Sequence, residues 1–149
     1  MDCRKALVEA AGDTDKALQI LREEGLLLAK KKAERSATEG VIEAYVHCSG
    51  HIGAMIEVNC ETDFVARTEE FKGLAHNLAM QVAAMNPQFI SEDEVPEEAD
   101  IEPQASCLLL QPYIKDNSKT VQDIIIETIA RLGENIKVGR FAKFELGRD

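Results

Sequence analysis

A strand pattern that leads directly into a helix pattern constrains this chain more than any other feature of its sequence. Apolar and small residues alternate with other residues at Ile52, Ala54, Ile56, Val58 and Cys60. A period of two predicts a half-buried strand. Beyond Thr68, a residue suited to cap a helix, apolar residues recur at helical spacing at Phe71, Leu74, Leu78, Val82 and Met85. The chain must therefore turn from strand to helix within residues 59–67, where Asp63 and Phe64 are adjacent.

The pair formed by Asp63 and Phe64 has two interpretations. In the first, Asp63 caps a helical turn by accepting hydrogen bonds from backbone N–H groups, and Phe64 folds back into the core. In the second, both side chains project outward as a wedge for a partner protein. The sequence pattern alone does not choose between the two.

Residues 38–60 predict a β-hairpin whose register follows from its apolar residues. A two-residue loop would place Val46 opposite Gly53 and Ile42 opposite Glu57, and this register mixes apolar and polar residues on one face. A three-residue loop over residues 49–51 pairs Cys48 with Ile52, Val46 with Ala54, Ala44 with Ile56 and Ile42 with Val58. Because a slip of one residue would turn the apolar set toward water, we expect the three-residue loop.

The amino-terminal residues predict two short helices. The first covers residues 2–11, and the second runs from a cap at Asp13 or Thr14 to a stop at Gly25. Two helices of about ten residues do not bury a core by themselves. They must dock on the rest of the chain or pack with a third helix that belongs before Met1.

Two charged segments interrupt the apolar patterns. Residues 30–32 are consecutive lysines, and we expect them in a solvated linker or a helix extension, with an RNA-binding patch as the weaker alternative. Residues 91–102 carry seven carboxylates and predict a solvated connector. The net charge is −10, from 27 acidic and 17 basic residues. This excess argues against binding of a phosphate backbone, which requires a basic surface.

The last part of the chain predicts a helix followed by a strand. Thr120 followed by Asp123 is a capping signature, and the helix that it begins ends at Gly133. Residues 136–146 predict a final strand whose alternation changes phase near residues 139–140, as at a β-bulge. Two hairpin strands, two long helices and a closing strand predict an α+β core with an antiparallel sheet.

The sequence contains none of the common catalytic motifs. It has no phosphate-binding glycine loop, no serine in a nucleophile-elbow context, and no evident triad around His47, His51 and His76. No apolar run approaches the roughly 18 residues of a membrane span, and no signal-peptide pattern opens the chain. We therefore expect a protein-binding module that is not an enzyme, has no cofactor and has no membrane partner.

The cysteines are expected to be reduced thiols, because Cys3, Cys48, Cys60 and Cys107 include no Cys-x-x-Cys pair. A zinc site is the alternative, with the ligands His47, Cys48, His51 and Cys60. It is disfavoured because Cys60 lies nine residues beyond His51, about 30 Å along an extended strand. We expect no bound metal. A thiol-based redox protein is a third hypothesis, which the sequence favours less than a protein-binding module.

Three groups of residues resemble the translation elongation factor Ts family. Residues 1–7, 12–13, 17–18 and 21–25 are similar to the amino-terminal module of that family. Residues 39–41 and 57–66 resemble its core signature, and residues 118–121 and 129–136 resemble its closing segment. The resemblance covers nearly the whole chain in the same order.

The resemblance implies a domain organisation. Residues 1–28 would form a small helical, ubiquitin-associated-like module that lacks its first helix. Residues 29–37 would form a linker, and residues 38–149 would form the core, an antiparallel β-sheet packed with helices. Family members with a single core, as in some bacteria and plastids, pair as homodimers. The resemblance therefore implies a homodimer in the bacterial cytoplasm or the plastid stroma.

The resemblance also implies a function, that of a guanine nucleotide exchange factor for elongation factor Tu. The family's intruding motif corresponds to Thr62, Asp63, Phe64 and Val65. In the family it pushes into the GTPase domain, disturbs the Mg²⁺ site and lets GDP leave. Met1 and Asp2 match the contact turn of the amino-terminal module, which docks on the same domain. This favours the wedge interpretation, with no direct nucleic-acid partner. The alternative is a non-catalytic adaptor of the same fold that binds a partner without stimulating exchange.

Overall fold

The structure, a computed structural model, describes residues 2–148 apart from the side chain of Cys48. Its helices are, in chain order, α1 (Asp2–Glu9), α2 (Thr14–Lys32), α3 (Asp63–Ala66), α4 (Glu69–Met85), α5 (Pro103–Ser106) and α6 (Val121–Leu132). Its strands are β1 (Glu39–His47), β2 (Ile52–Cys60), β3 (Pro112–Tyr113), β4 (Asp116–Thr120) and β5 (Lys137–Glu145). None of the helices within residues 2–148 has the length and apolar character needed to cross a membrane.

Strands β1, β2 and β5 form an antiparallel sheet in the order β1-β2-β5, and β3 pairs with β4 in a separate antiparallel ribbon. Helix α4 packs on one face of the three-stranded sheet. The residues of β2 that point toward α4 are buried: Ala54, Ile56, Val58 and Cys60. The half-buried strand and the antiparallel α+β fold predicted from the sequence are confirmed.

Helix α4 begins where the sequence predicts. The Thr68 side chain accepts a hydrogen bond from the Phe71 N–H at 3.2 Å, and Asn86 ends the helix in the left-handed conformation with φ of 49°. Phe71, Leu74, Leu78 and Val82 are buried against the sheet. Met85, which the apolar pattern assigned to the same stripe, is exposed, because it lies in the last turn beyond the edge of the core.

The predicted register of the hairpin is wrong by one residue. Val46 lies opposite Gly53 and Ile42 opposite Glu57, and His47 instead of Cys48 pairs with Ile52. The connection comprises residues 48–51, with Ser49 and Gly50 at positive φ of 60° and 84°. The left-handed backbone at these two residues lets the chain reverse in this longer loop.

The error has a physical reason: both faces of β1 carry apolar residues. Val41 and Tyr45 face the core, together with Glu43, whose carboxylate lies 3.3 Å from the His76 ring of α4. Ile42 and Val46 therefore point to the opposite face, where they are exposed. The predicted register placed Ile42, Ala44 and Val46 on the buried face of β1, whereas in the structure these three residues lie on the exposed face.

Helix α2 does not end at Gly25, as the sequence pattern predicted, but continues to Lys32. Gly25 is buried where α2 passes α6, beside the side chains of Ile126 and Ala130. The Lys32 ammonium group donates a hydrogen bond to the Gly133 carbonyl at 2.6 Å, at the carboxyl end of α6. Of the two expectations for the lysine run, the helix extension is the one observed, and it docks α2 on the core.

Two buried glutamines join the core to the chain that follows the acidic segment. The Gln81 amide donates to the Gln111 side chain at 3.2 Å and to the Pro112 carbonyl at 3.0 Å. Gln111 in turn donates to the carbonyls of Met85 and Ala105. Both side chains are fully buried, so these bonds satisfy polar groups that burial would otherwise penalise. The connector between α4 and β3 is therefore held at its far end.

The predicted elements of the last part of the chain are confirmed. Thr120 and Asp123 form a capping box at the start of α6, and Gly133 ends the helix with φ of 76°. In β5, Val138 pairs with Val58, whereas Arg140 pairs with Glu57. The irregularity that leaves Gly139 between them is the predicted bulge.

Replacing Gly25 with alanine should stabilise the protein, because an added methyl group would lie in ordinary contact with Ile126 and Ala130, at 3.7 and 3.8 Å. Alanine is better than glycine in a helix interior, so the free energy of unfolding should rise by about 0.5–1 kcal/mol. Urea unfolding of Gly25→Ala measures it. Gly73→Ala, in an exposed turn of α4 with open space around it, is the matched control and should gain a similar amount. A loss of stability in Gly25→Ala alone would contradict the packing of α2 on α6.

Candidate protein-interaction site

Two successive caps shape the junction between β2 and α4. Thr62 caps α3, its hydroxyl oxygen accepting a hydrogen bond from the Val65 N–H at 3.4 Å. Thr68 caps α4, and its hydroxyl also donates to the Val65 carbonyl at 2.7 Å. The chain therefore forms one short helix, breaks at Arg67 and begins a second. The side chains of α3 are held on a turn with little freedom.

This turn places Phe64 on the surface. Its side chain is 78% exposed, in contrast to Ala66 on the same turn, which is buried. The Asp63 carboxylate does not cap the helix but pairs with the Arg67 guanidinium at 3.0 Å. The interpretation in which Asp63 caps the turn and Phe64 folds into the core is therefore wrong, and the outward orientation is the one observed.

The four residues of the predicted motif have different environments. Phe64 is exposed, whereas Thr62, Asp63 and Val65 are half-buried. Val65 packs against the main core and so anchors the turn on its inner side, while Phe64 points from the outer side of the turn into solvent. A large apolar ring on a rigid support costs little conformational entropy when it binds, which is the property of an anchor residue at a protein interface.

Sequence reasoning missed a carboxylate that holds this turn. Glu134, which follows the end of α6, accepts hydrogen bonds through Oε1 from the N–H groups of Glu61 and Thr62, at 3.1 and 3.0 Å. Its other oxygen accepts a hydrogen bond from the Thr62 hydroxyl at 2.7 Å. No local pattern connects residues separated by more than 70 positions, so only the fold reveals this contact.

A second set of polar contacts joins the same two segments, and here the junction supplies the carboxylate and the segment after α6 supplies the N–H group. The Glu61 carboxylate accepts from the Asn135 N–H at 2.7 Å and lies 3.7 Å from the Arg35 guanidinium. The buried Asn135 side chain donates to the carbonyls of Ala33 and Arg35, at 3.4 and 2.8 Å. Residues 133–135 therefore tie the end of α2 to the start of the junction. We call residues 133–135 the clamp segment.

Cys60, the last residue of β2, is buried beneath the junction and donates a hydrogen bond to the Thr62 carbonyl at 3.1 Å. Burial, and secondarily the negative charge of Glu134, raises the pKa of the Cys60 thiol to about 11. Burial, with the charges of Glu92 and Glu94, also raises the pKa of Cys107. Both thiols are structural groups, because the reactive thiolate form is suppressed.

Cys60, the fourth residue of the alternative zinc site, lies at the opposite end of the hairpin from His47 and His51. Cys60 pairs with Glu39 at one end of the hairpin, whereas His47 pairs with Ile52 at the other. His47 accepts or donates a 2.8 Å hydrogen bond with the Tyr45 hydroxyl. Among the side chains that the structure describes, which do not include that of Cys48, no three from His, Cys, Asp or Glu come together in an arrangement that could hold a metal ion.

The other predicted contact lies at the amino terminus. Asp2 is exposed at the start of α1, and Met1 lies outside the described residues. Helices α1 and α2 pack on each other through a small cluster formed by Ala6, Ala10 and Ala17. Since α2 continues into contact with α6, this pair of helices is attached to the same core that carries Phe64.

The buried thiol of Cys60 should resist alkylation in the folded protein. With a pKa of about 11, only about one thiol in a thousand is ionised at pH 8, and the sulfur is buried. Iodoacetamide labelling followed by peptide mapping should show slow modification of Cys60 and fast modification of the exposed Cys3. In urea the two should react at similar rates. Rapid labelling of Cys60 in the folded chain would contradict its assignment as an inert structural group.

A family model and individual known proteins that are similar to this chain all carry the same name. The family model described as "Elongation factor TS" matches residues 13–105. Elongation factor Ts of Moorella thermoacetica is 48% identical over 177 aligned positions, which cover 99% of this chain and 87% of that protein. Elongation factor Ts of Thermotoga neapolitana is 47% identical, with 100% and 90% covered, and that of Syntrophomonas wolfei is 46% identical, with 99% and 83% covered.

The same alignments reveal a difference in length. The 177 aligned positions exceed the 149 residues of this chain, so at least 28 positions of the Moorella protein have no counterpart here. The similarity therefore extends along nearly the whole chain, although parts of the relatives are absent from it.

Proposed function

The chain belongs to the elongation factor Ts family of translation elongation factors, and we propose that it is a guanine nucleotide exchange factor for elongation factor Tu. The observation that carries this proposal is the exposed Phe64 ring on a turn anchored from below by Val65 and Ala66. In the proposed complex Phe64 enters between two helices of the GTPase domain. The Mg²⁺ site of elongation factor Tu is disturbed, and GDP leaves.

The proposed action needs no bond-making chemistry in this chain. An exchange factor binds the nucleotide-free GTPase more tightly than the loaded form, and by linkage the nucleotide weakens binding of the factor to the same extent. The equilibrium between GDP and GTP in solution is unchanged. What the factor must supply is a set of contacts that form only when the nucleotide site is open.

Phe64 supplies part of this difference and not all of it. Burying one phenylalanine side chain contributes roughly 1.5–3 kcal/mol, which corresponds to one or two powers of ten in an equilibrium constant. Release of a tightly held nucleotide with its Mg²⁺ requires more. We therefore propose that Asp63 and the amino-terminal residues Met1 and Asp2 add contacts on the same GTPase domain, as the resemblance implies.

Asp63 is suited to exchange one partner for another. Its ion pair with Arg67 is half exposed and spans a single helical turn. Such pairs contribute about 0–1 kcal/mol, so the carboxylate can leave Arg67 for a group on elongation factor Tu at small cost. We propose that Thr62 and Val65 act from below, as the cap and the anchor of the turn that presents Asp63 and Phe64.

Replacing Phe64 with alanine should slow the release of GDP that the factor stimulates. We expect the maximal release rate from elongation factor Tu to fall about ten- to a hundredfold, the value of one buried ring, while a complex still forms. Stopped-flow measurement with a fluorescent GDP gives the rate, and titration gives the affinity. Phe64→Leu should retain most of the activity because it keeps an apolar group at the same place.

Met85→Ala is the control for this experiment. It removes another exposed apolar side chain, at the opposite end of α4, and should leave the rate unchanged. A Phe64→Ala variant as fast as the wild type would refute the wedge. The adaptor alternative predicts a different result, in which the wild-type chain binds elongation factor Tu without accelerating release at all.

We also propose that the chain forms a homodimer through the outer face of the three-stranded sheet. This face lies opposite α4 and is apolar along its centre. Its exposed members are Ile42, Val46, Met55 and Phe144, of which Val46 and Phe144 are 66% and 76% exposed. A solvated face of an antiparallel sheet is normally polar, and a contiguous apolar patch on it marks an interaction surface.

A second copy of the chain fits this surface better than a charged partner. The charges at one end of the face, Glu57 and Arg140, lie 3.2 Å apart and neutralise each other. The face therefore does not repel an identical one, although each chain carries a net charge of −10. Gly53, flanked by Val46 and Phe144, leaves a depression that a side chain of the other copy can fill. Two such sheets would pack about 10 Å apart.

A charge placed at the centre of this face should separate the two chains. Met55→Glu would bury two like carboxylates without partners, at a cost of several kcal/mol, so the chain should sediment as a monomer where the wild type sediments as a dimer. Leu27→Glu, at an exposed position of α2, is the control and should remain dimeric. A monomeric wild type, or a dimeric Met55→Glu, would overturn this interface.

The bacterial origin of the relatives favours the bacterial cytoplasm over the plastid stroma as the place of action. There elongation factor Tu and the reducing conditions that keep thiols such as Cys60 and Cys107 free are both present. The acidic net charge gives no support to a direct nucleic-acid partner.

A further inference from the structure

We infer that Glu134 is a positioning residue for Phe64. Its carboxylate fixes the backbone between β2 and α3, so that the phenylalanine ring is presented at one place before any partner arrives. The inference rests on the proposed exchange function, because it assigns Glu134 an effect on the rate of nucleotide release. Glu134 itself is set behind the turn and does not need to touch the GTPase.

The geometry shows why one carboxylate can hold the turn. Strand pairing of β2 ends at Asn59 and Cys60, opposite Lys137 and Glu39. The next two N–H groups, of Glu61 and Thr62, lie beyond the sheet and donate to Glu134 Oε1. The carboxylate thus continues the hydrogen bonding of β2 for two residues after the strand ends. Hydrogen bonds to an ionised group are about twice as strong as neutral ones.

The Thr62 hydroxyl transmits this restraint to α3. It donates to Glu134 Oε2 at 2.7 Å and accepts from the Val65 N–H at 3.4 Å. A hydroxyl has one hydrogen to donate, and the Glu134 bond fixes its direction, leaving a lone pair for the cap. Phe64 lies between Thr62, which is bonded to this carboxylate, and Val65, which is connected to it through the Thr62 hydroxyl.

Glu134 is held in place by its own neighbours. Gly133 ends α6 in the left-handed conformation and accepts the Lys32 hydrogen bond on its carbonyl. On the other side Asn135 donates its N–H to the Glu61 carboxylate. The clamp segment and the junction therefore bind each other reciprocally, a glutamate of each accepting backbone N–H groups of the other. Such mutual restraint limits the Glu134 side chain to one position.

A purely structural role is the alternative, and it makes different predictions. If Glu134 only stabilised the fold, its removal would lower the fraction of folded protein, and its effect would add to that of Phe64→Ala. If Glu134 acts by placing the ring, its removal matters only while the ring is present. The two mutations then overlap in their effect on the rate.

The experiment measures GDP release from elongation factor Tu with saturating wild type, Glu134→Ala, Phe64→Ala and the double variant, below the melting temperature of each. We expect Glu134→Ala to lower the maximal rate about tenfold. The double variant should be slower than Phe64→Ala by no more than about twofold. Amide hydrogen exchange in Glu134→Ala should accelerate at Glu61 and Thr62 and stay unchanged in the interior of α4.

Two further variants sharpen the result. Glu134→Gln keeps an oxygen for the two N–H groups and loses the charge, so its rate should fall between those of wild type and Glu134→Ala. Glu127→Ala is the matched control. It removes another half-buried glutamate, from α6, whose partner is Lys119 at 2.8 Å, and it should leave the release rate unchanged.

The outcomes separate this inference from the proposed function. If the wild-type chain does not stimulate release, the exchange function fails, and the inference fails with it. If the wild type is active and folded Glu134→Ala matches its maximal rate, the positioning role alone is overturned. Full additivity of Glu134→Ala and Phe64→Ala would overturn it as well.

Discussion

The carboxylate of Glu134, bonded to two backbone N–H groups and a hydroxyl, joins the end of α6 to a junction more than 70 residues earlier in the chain. The N–H groups of Glu61 and Thr62 have passed the end of the sheet, and a half-buried N–H group without a partner would destabilise this turn. Because the acceptor is ionised, each bond is stronger than an ordinary turn contact. In our inference, the position of the Phe64 ring on α3 depends on this contact.

The same segment connects the junction to the amino-terminal helices. Lys32 and Asn135 bring the end of α2 and the loop after it against the clamp segment, and α2 passes α6 where Gly25 lies beside Ile126 and Ala130. Helix α2 is thus a continuous rod of 19 residues that begins beside α1 and ends against the core. Two regions proposed to touch the same GTPase, the amino terminus and the α3 turn, are therefore held on one support. Such preorganisation lowers the entropic cost of binding at two places.

The sheet serves two purposes with its two faces. Its inner face, built from β2 and covered by α4, forms the core. Its outer face carries four apolar side chains whose exposure to water is unfavourable: Ile42, Val46, Met55 and Phe144. In the proposed homodimer a second chain would cover these residues and remove the cost of exposing them. The site at α3 lies at the end of β2 and stays separate from that face.

Local patterns in the sequence determined most of the fold. Periodicity predicted β2, α4 and β5 with its bulge, and capping chemistry predicted the start of α4 and both ends of α6, because these depend on residues a few positions apart. The family signature pointed to Asp63 and Phe64, yet pattern alone left their direction open. Only the tertiary structure decided three matters: the outward position of Phe64, the register of a hairpin that is apolar on both faces, and the continuation of α2 past Gly25. Each depends on which distant parts of the chain pack together, and no local rule contains that information.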